Sequence, residues 1–326
     1  MLNPYLKLNP KVFDKENVQK PTRDGFGDAL VELGEKNENV VVLTADLSES
    51  TRTDGFEKKF PERFFEAGVA EQNMAAVAAG LAVSGKIPFI SSYATFSPGK
   101  NWETIRTTII YNQASVKIAG HHSGVITGPD GSTHQATEDI AIVRSWPGIQ
   151  ILVPCDAIEA KKATIESVKF KGPSYLRFTR EKTPIITTEQ TSFKPVSLFW
   201  TSEVPRAVIF ATGHMIYHAL LAARELEKEK IEVLVANVAQ IKPLDEKTIL
   251  DLVKKAGKVV TVEDHQIMGG LGGAISELLA KHSPAPMEFV GLQDTFAESG
   301  KPQELMEKYK MDHKAIISAV KKVVRR

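Results

Sequence analysis

Several common features are scarce in this sequence of 326 residues. Cys155 is its only cysteine, which excludes an intrachain disulfide and a multi-cysteine metal site. We predict a buried structural thiol in a cytoplasmic protein. The longest apolar run, residues 74–83, is half of the roughly 20 residues that a membrane-spanning helix needs. The polar residues 1–20 lack the apolar core of a signal peptide.

A strong excess of either charge is also missing. Lys plus Arg number 41 against 40 Asp plus Glu, so the net charge is +1. We therefore expect no nucleic-acid partner and no membrane partner. Hydrophobic residues make up 42% and charged residues 25%, which is typical of a globular protein. The length favours two domains, because single cores rarely grow beyond roughly 250–300 residues.

Helix and strand patterns alternate along the chain, which predicts an α/β fold built from parallel sheets. The predicted strands are 40–45, 87–90, 116–119, 149–153, 174–178, 207–211, 231–236, 259–263 and 287–292. The predicted helices are 24–36, 72–84, 102–111, 138–145, 157–170, 214–228, 245–256, 271–281 and two more at the C-terminus. Most strands are apolar throughout, as in sheets covered on both faces, so we expect two three-layer α/β domains.

The predicted organisation has four parts. An arm of residues 1–20 precedes a first domain at 21–182, and a second domain follows at 205–326. Between them, residues 183–204 are rich in Thr, Pro and Ser and are interpreted as a linker with at most one edge strand.

The loop after strand 116–119 contains more potentially catalytic side chains than any other loop. Residues 121–135 are rich in glycine and include three histidines and Asp130. Ligands of open α/β sheets bind at the carboxyl ends of strands, so this loop is a candidate site for proton transfer and hydroxyl recognition. A solvated surface loop is the alternative, and the absence of cysteine disfavours zinc.

Two further positions stand at starts of predicted elements. Asp46 follows strand 40–45, where it either caps the next turn or faces a ligand. Glu71 begins an alanine-rich helix, and a favourable interaction with the helix dipole explains it without any function. Gly269–Gly273 precedes a helix but does not fit the G-x-G-x-x-G nucleotide motif, so close backbone packing is expected there.

Ordered motifs across both predicted domains carry a family resemblance. Residues 68–74, GVAEQNM, resemble the G-[IV]-A-E-Q-N-M segment of transketolases. TADL at 44–47 precedes this segment and GPDGSTHQ at 128–135 follows it, in the family's order. IKPLD at 241–245 and TVEDH at 261–265 resemble parts of the family's C-terminal domain. The similarity covers roughly residues 21–322.

The resemblance implies a thiamine-diphosphate enzyme whose cofactor lies between two chains. This chain is similar to the pyrimidine-binding domain followed by the C-terminal domain. Glu71 matches the glutamate that hydrogen-bonds the aminopyrimidine ring and makes its imino form accessible. Tyr93 and Phe96 match aromatic residues of the pyrimidine pocket, with core packing as the alternative. Trp102 is a weaker candidate, because the alignment around it is uncertain by one residue.

The same resemblance implies a sugar-phosphate site. The family's phosphate and hydroxyl contacts fall on Arg23, Ser50, His122, Asp130 and Arg180. The two arginines suit phosphate because the guanidinium fork is planar and permanently charged, although solvated surface positions are the alternative for both.

The implied catalytic residues are Glu71, His122 and His134. His134 matches the histidine that helps to move protons at the substrate hydroxyls. The expected reaction transfers a two-carbon ketol unit between sugar phosphates, with the pentose phosphate pathway as its setting.

One family motif is missing. The Gly-Asp-Gly that begins the diphosphate and metal motif occurs nowhere in the sequence. We therefore expect no metal ligand in this chain and a partner, the N-terminal transketolase subunit, that holds the diphosphate and Mg²⁺ (or Ca²⁺). The expected assembly is an α2β2 heterotetramer. The alternatives are a 2-oxo acid dehydrogenase β subunit, a deoxyxylulose-phosphate-synthase-like enzyme and a non-catalytic interaction subunit.

Overall fold

Two sheets flanked by helices organise residues 1–326 in the computed structural model. The strands are β1 (Gln19–Lys20), β2 (Val40–Thr44), β3 (Phe64–Glu66), β4 (Ile87–Tyr93), β5 (Lys117–His121), β6 (Gln150–Leu152), β7 (Ser174–Arg177), β8 (Thr183–Pro184), β9 (Val196–Trp200), β10 (Ala207–Ala211), β11 (Val233–Val238), β12 (Gln240–Lys242), β13 (Val259–Gln266) and β14 (Met287–Leu292).

The helices alternate with these strands, as the sequence pattern predicts. They are α1 (Thr22–Lys36), α2 (Ser48–Thr51), α3 (Asp54–Lys59), α4 (Glu71–Val83), α5 (Trp102–Thr104), α6 (Asp139–Arg144), α7 (Ala157–Ser167), α8 (Met215–Lys228), α9 (Glu246–Ala256), α10 (Leu271–His282), α11 (Pro302–Lys308) and α12 (His313–Val324). Helix α5 continues with π-helical geometry over Ile105–Ile110. No helix has both the length and the apolar character needed to cross a membrane.

The first sheet has the strand order β12-β6-β7-β5-β4-β2-β3. All its neighbours are parallel except β12, which runs antiparallel to β6. Strands β2 and β5 are buried along their whole length, because helices cover both faces of the sheet. The parallel arrangement brings the carboxyl ends of β2, β4, β5 and β7 to one edge.

The second sheet has the order β14-β13-β10-β11-β9, with β9 as an antiparallel edge strand. Its core strands are apolar and buried, and α8 and α12 cover one face. The predicted fold class of two three-layer α/β domains is confirmed. Gly270 and Gly272 pack closely, since an added Cβ would lie 2.0 Å from Glu263 Oε2 and 2.7 Å from the Phe289 ring, respectively.

Several short elements escape the sequence pattern. Residues 183–204 contain the edge strand β9, for which the sequence analysis allowed, and also β8, while β12 pairs with β6 at the edge of the first sheet. The arm of residues 1–20 packs on the protein: Val12 is fully buried and β1 pairs with β8. Strands of two or three residues have too few side chains to show a period. Cys155 is a free, buried thiol, as predicted.

A buried ion pair lies where the two domains meet. Arg177, at the end of β7, donates from Nε and Nη2 to the Asp139 carboxylate at 2.8 and 3.1 Å. The same Nη2 donates to the carbonyls of Ala136 and Asp264, the latter from β13. Burial alone lowers the pKa of Arg177, but Asp139 outweighs it and the pKa is raised. The guanidinium therefore stays charged and ties β7 to α6 and to the second domain.

His121 is a fully buried histidine of the first core. Its ring lies 5.0 Å from the Phe26 ring and 5.2 Å from the Phe178 ring, and its Nε2 is 3.0 Å from Ser91 Oγ. Burial lowers the pKa of His121 well below its usual value, and the positive charge of Arg23 lowers it further. The folded protein therefore holds this ring neutral.

Replacing Arg177 by methionine should strongly destabilise the fold. The substitution leaves the Asp139 charge buried without a partner, which typically costs about 3–5 kcal/mol. Urea denaturation of Arg177→Met measures this loss. Lys169→Met is the matched control, because the exposed Lys169–Glu166 pair contributes little. A loss for Arg177→Met as small as that of the control would contradict the structural role.

Stability should fall as the pH is lowered below about 6.5, because the unfolded His121 takes up a proton that the folded one does not. At pH 7.5 His121 is neutral in both states and costs no stability. Below about pH 6.5 its protonation in the unfolded chain lowers the free energy of unfolding by at most about 1.4 kcal/mol per pH unit. Urea denaturation at pH 7.5 and 5.5 should show a smaller pH dependence in His121→Gln than in the native protein. Equal slopes would show that His121 protonates freely when folded.

Candidate functional site

The loop that follows β5 runs along the carboxyl edge of the first sheet. His122 adopts a left-handed backbone conformation, with φ of 54°, and Gly124 has φ of 87°. Two short 3-10 turns then cover Val125–Asp130. Positive φ values at the start of the loop turn the chain sharply, so His122 points toward the end of β4 instead of continuing the strand.

Aromatic rings from the end of β4 and from the segment that follows it lie against the histidines of this loop. The rings of Tyr93 and His122 are stacked with centroids 3.7 Å apart, and Phe96 stacks on Tyr93 at 5.8 Å. His134 approaches both aromatic residues edge-on, at 5.8 Å from Tyr93 and 5.5 Å from Phe96. The structure thus brings together four of the residues singled out from the sequence.

His122 is held in its neutral form. Burial, followed by the positive charges of Arg23 and Arg180, lowers its pKa to about 3. Its Nδ1 is buried and has no hydrogen-bond partner in the chain. A neutral imidazole is able to bind a hydroxyl group of a ligand without itself carrying charge.

Two arginines and a carboxylate border the aromatic cluster. Arg180 Nη1 donates to Asp130 Oδ1 at 2.9 Å and to the Thr127 carbonyl at 3.3 Å. Arg23 Nη1 donates to the Ser50 carbonyl at 2.7 Å, while its buried Nε has no partner. Burial, then the charge of Arg52, lowers the pKa of Arg23. Both guanidiniums keep donors unused, which suits a site for an anion.

Glu71 lies at the first position of α4 with only 2% of its surface exposed. Lys100 Nζ donates to Glu71 Oε2 at 2.7 Å, and Asn101 Nδ2 donates to the Glu71 carbonyl at 3.0 Å. Its other carboxyl oxygen, Oε1, accepts no hydrogen bond from the chain. Glu71 therefore offers one free acceptor beside the segment that begins with Phe96.

Not every candidate lies in this cluster. Glu71 shares no hydrogen bond with the aromatic and histidine side chains and is linked to them only through residues 95–101. The Trp102 ring packs at a tilt against the Trp146 ring, with centroids 5.9 Å apart, and makes no ring contact with the aromatic and histidine cluster. Lys100 was not among the sequence candidates, because a lysine in a Ser-Pro-Gly-Lys turn carries no recognisable signal. No group of three or more His, Cys, Asp or Glu side chains is placed to hold a metal ion.

Comparisons with known proteins agree with this architecture. Residues 19–185 match the family model for the transketolase pyrimidine binding domain, and residues 201–316 match that for the transketolase C-terminal domain. A protein of Methanocaldococcus jannaschii named "Putative transketolase C-terminal section" is 43% identical over 307 residues, covering 93% of this chain and 96% of that protein. Transketolase-like protein 2 of Mus musculus is 36% identical, but this chain spans only 48% of its length.

A solved structure described as a split gene transketolase, an inactive beta4 tetramer, is similar to this chain with a TM-score of 0.87 and 42% identity. The match covers 94% of this chain and 98% of that one. The whole length from the first sheet to the second is therefore accounted for by one family. This chain belongs to the transketolase family and contains its pyrimidine-binding and C-terminal domains.

Proposed function

We propose that this chain is the C-terminal subunit of a thiamine-diphosphate-dependent transketolase, which transfers a two-carbon ketol unit between sugar phosphates. The observation that carries the proposal is Glu71: a buried carboxyl group at a helix start, with one oxygen bound by Lys100 and the other free. Transketolases as a family depend on thiamine diphosphate, and this chain belongs to that family.

The residues present fit the pyrimidine half of the cofactor. Glu71 Oε1 is free to face the ring nitrogen, and Tyr93 and Phe96 offer aromatic faces for the ring. When bound, the cofactor supplies the carbanion that attacks the ketose carbonyl. The role of Glu71 is to share a proton at the ring nitrogen, and the role of the aromatic pair is to orient the ring and exclude water.

The histidines and arginines form the substrate side of the proposed site. Neutral His122 binds a substrate hydroxyl group through its imidazole ring, and His134 moves protons at the hydroxyls. Asp130 accepts a hydrogen bond from the hydroxyl group beside the reacting carbon. Arg180 and Arg23, the latter beside Ser50, hold the phosphate group through their unused donors.

An exposed apolar face supports the need for a partner. Along α4, Val77 and Val83 are 43% and 73% exposed, and Val69 just before the helix is 71% exposed. Gly80 on the same helix has open space around it. A helix that is apolar all round is normally buried, so this face is expected to be covered by another chain.

We propose the N-terminal transketolase subunit as that partner, holding the diphosphate and Mg²⁺ or Ca²⁺, in an α2β2 assembly in the cytoplasm. The comparison with the mouse protein supports this, since the chain matches only about half of it. Other relatives are described as subunits, including the 6-deoxy-6-sulfo-D-fructose transketolase subunit of Clostridium sp. (strain MSTE9), at 36% identity. The similar beta4 tetramer is described as inactive.

Mixing this chain with the N-terminal subunit, thiamine diphosphate and Mg²⁺ should produce ketol transfer, whereas either chain alone should be inactive. Glu71→Gln in the mixture should lower the transfer rate about 10²–10⁴-fold, because glutamine cannot share the proton. Calorimetry of cofactor binding to the same mixture supplies a second readout. Glu62→Gln, an exposed position, is the control. Full activity of this chain alone, or of Glu71→Gln, would refute the proposal.

Replacing Arg180 by methionine should raise KM for a ketose phosphate about 10- to 100-fold, the loss expected for one charge-assisted hydrogen bond. The same variant should lower kcat/KM for the unphosphorylated ketose less, because that substrate lacks the anion and loses only the support that Arg180 gives to Asp130. Steady-state kinetics with both sugars measure the difference, with the exposed Arg206→Met as the control. An equal loss for both sugars would contradict a phosphate contact.

A further inference from the structure

The loop that carries His122, Asp130 and His134 rests on the C-terminal domain. Gln135 Nε2 donates to the Glu298 carbonyl at 3.2 Å, and Gln266 N donates to the Thr137 carbonyl at 2.7 Å. Gly131 lies so close to Ser299 that an added Cβ would be 2.4 Å from its hydroxyl oxygen. These contacts hold the C-terminal half of the loop, and a different group holds its start.

Asp264, near the end of β13, holds the start of the loop. Its Oδ1 accepts the Val125 N–H at 2.8 Å, and its Oδ2 accepts the Ile126 N–H at 3.2 Å. His214 Nε2, located just before α8, lies 3.0 Å from the same Oδ2. A carboxylate only accepts hydrogen bonds, so His214 is the donor and Asp264 receives three of them.

The backbone of the loop packs directly against this carboxylate. At Gly124 an added Cβ would lie 2.1 Å from Asp264 Oδ2, so only glycine allows the loop to come this close. The backbone carbonyl of Asp264 also accepts from Arg177 Nη2, which holds the Ala136 carbonyl at the other end of the loop. Asp264 is thus connected to both ends of the loop that carries the proposed substrate residues.

We propose that Asp264 is a positioning residue of the active site: by binding the amides of Val125 and Ile126 it sets the position of the loop on which His122 and Asp130 lie. Its effect on catalysis rests on the proposed function, whereas the anchoring of the loop does not. The C-terminal domain accordingly takes part in shaping the substrate site from the far side of the loop.

Asp264 needs an ionised carboxylate to accept all three hydrogen bonds, and a neutral side chain of the same shape does not replace it. Burial raises its pKa, but the hydrogen bond and the charge of His214 outweigh burial, so the pKa is lowered and the group stays ionised. An asparagine side chain has one acceptor oxygen and one NH₂ group. In either orientation its NH₂ faces at least one of the three donors, so Asp264→Asn loses part of the anchor while keeping the volume.

The neighbouring Glu263 supplies a matched control. It is also buried on β13, and its carboxylate accepts two backbone amides at 2.8 Å, from Leu271 and Gly272 at the start of α10. Glu263→Gln therefore removes the same kind of interaction from the same strand without touching the loop. Both variants are expected to lower the midpoint of thermal unfolding by similar amounts.

Amide hydrogen exchange of the full-length chain tests the anchoring directly. In Asp264→Asn the amides of residues 123–128 should exchange about tenfold faster than in the native protein, whereas Glu263→Gln should leave them unchanged. Unchanged protection in Asp264→Asn, or equally faster exchange in both variants, would overturn the inference. This measurement needs neither cofactor nor partner, so it decides the anchoring even if the proposed reaction is wrong.

Steady-state kinetics of the reconstituted complex test the consequence for the site. Asp264→Asn should raise KM for the ketose phosphate about tenfold and lower kcat less, because only a fraction of the molecules keeps the loop in the binding position. The affinity for thiamine diphosphate should change less than about twofold, because the loop carries none of the residues proposed to bind the cofactor. Kinetic constants equal to those of the native chain, or an identical change in Glu263→Gln, would refute a positioning role.

Discussion

The buried guanidinium of Arg177 joins the first sheet to the second domain. It lies at the end of a central strand of the first sheet, and its donors reach α6, the end of the loop after β5 and the backbone of β13. A charge in this position is tolerated only because Asp139 pairs with it. With the ion pair in place, the carboxyl edges of the two sheets meet, and the loop is held between them.

The polar site lies at the carboxyl ends of the strands of the first sheet, although the strands themselves are apolar. The aromatic side chains come from the end of β4 and the segment after it, the histidines from the loop after β5, and Arg180 from the segment after β7. Parallel strands bring these three segments together without any of them being close in sequence. Burial then sets the chemistry, because desolvation beside two arginines keeps His122 neutral. Glu71 stands apart at a helix start, next to an exposed apolar face.

Sequence reasoning reached the fold class because long helices and apolar strands have clear periods. It missed β3 and β12, which have three residues each, too few to show a period. Of the site, the aromatic residues and histidines were accessible through motifs. Lys100 and Asp264 were not identified as site residues, because their importance lies in contacts with Glu71 and with the loop amides. No local pattern in the sequence encodes such contacts.

Apolar periodicity and ordered motifs are local properties, so the two α/β domains and the transketolase family could be recognised from the sequence alone. Which side chains are buried together depends on the assembled fold. Three contacts of the site join segments that are distant in sequence. They are the ion pair of Arg180 with Asp130, the stacking of Tyr93 on His122, and the hydrogen bonds of Asp264 to the loop amides. Their strength depends on distance and burial, and both are fixed only when the sheets are assembled.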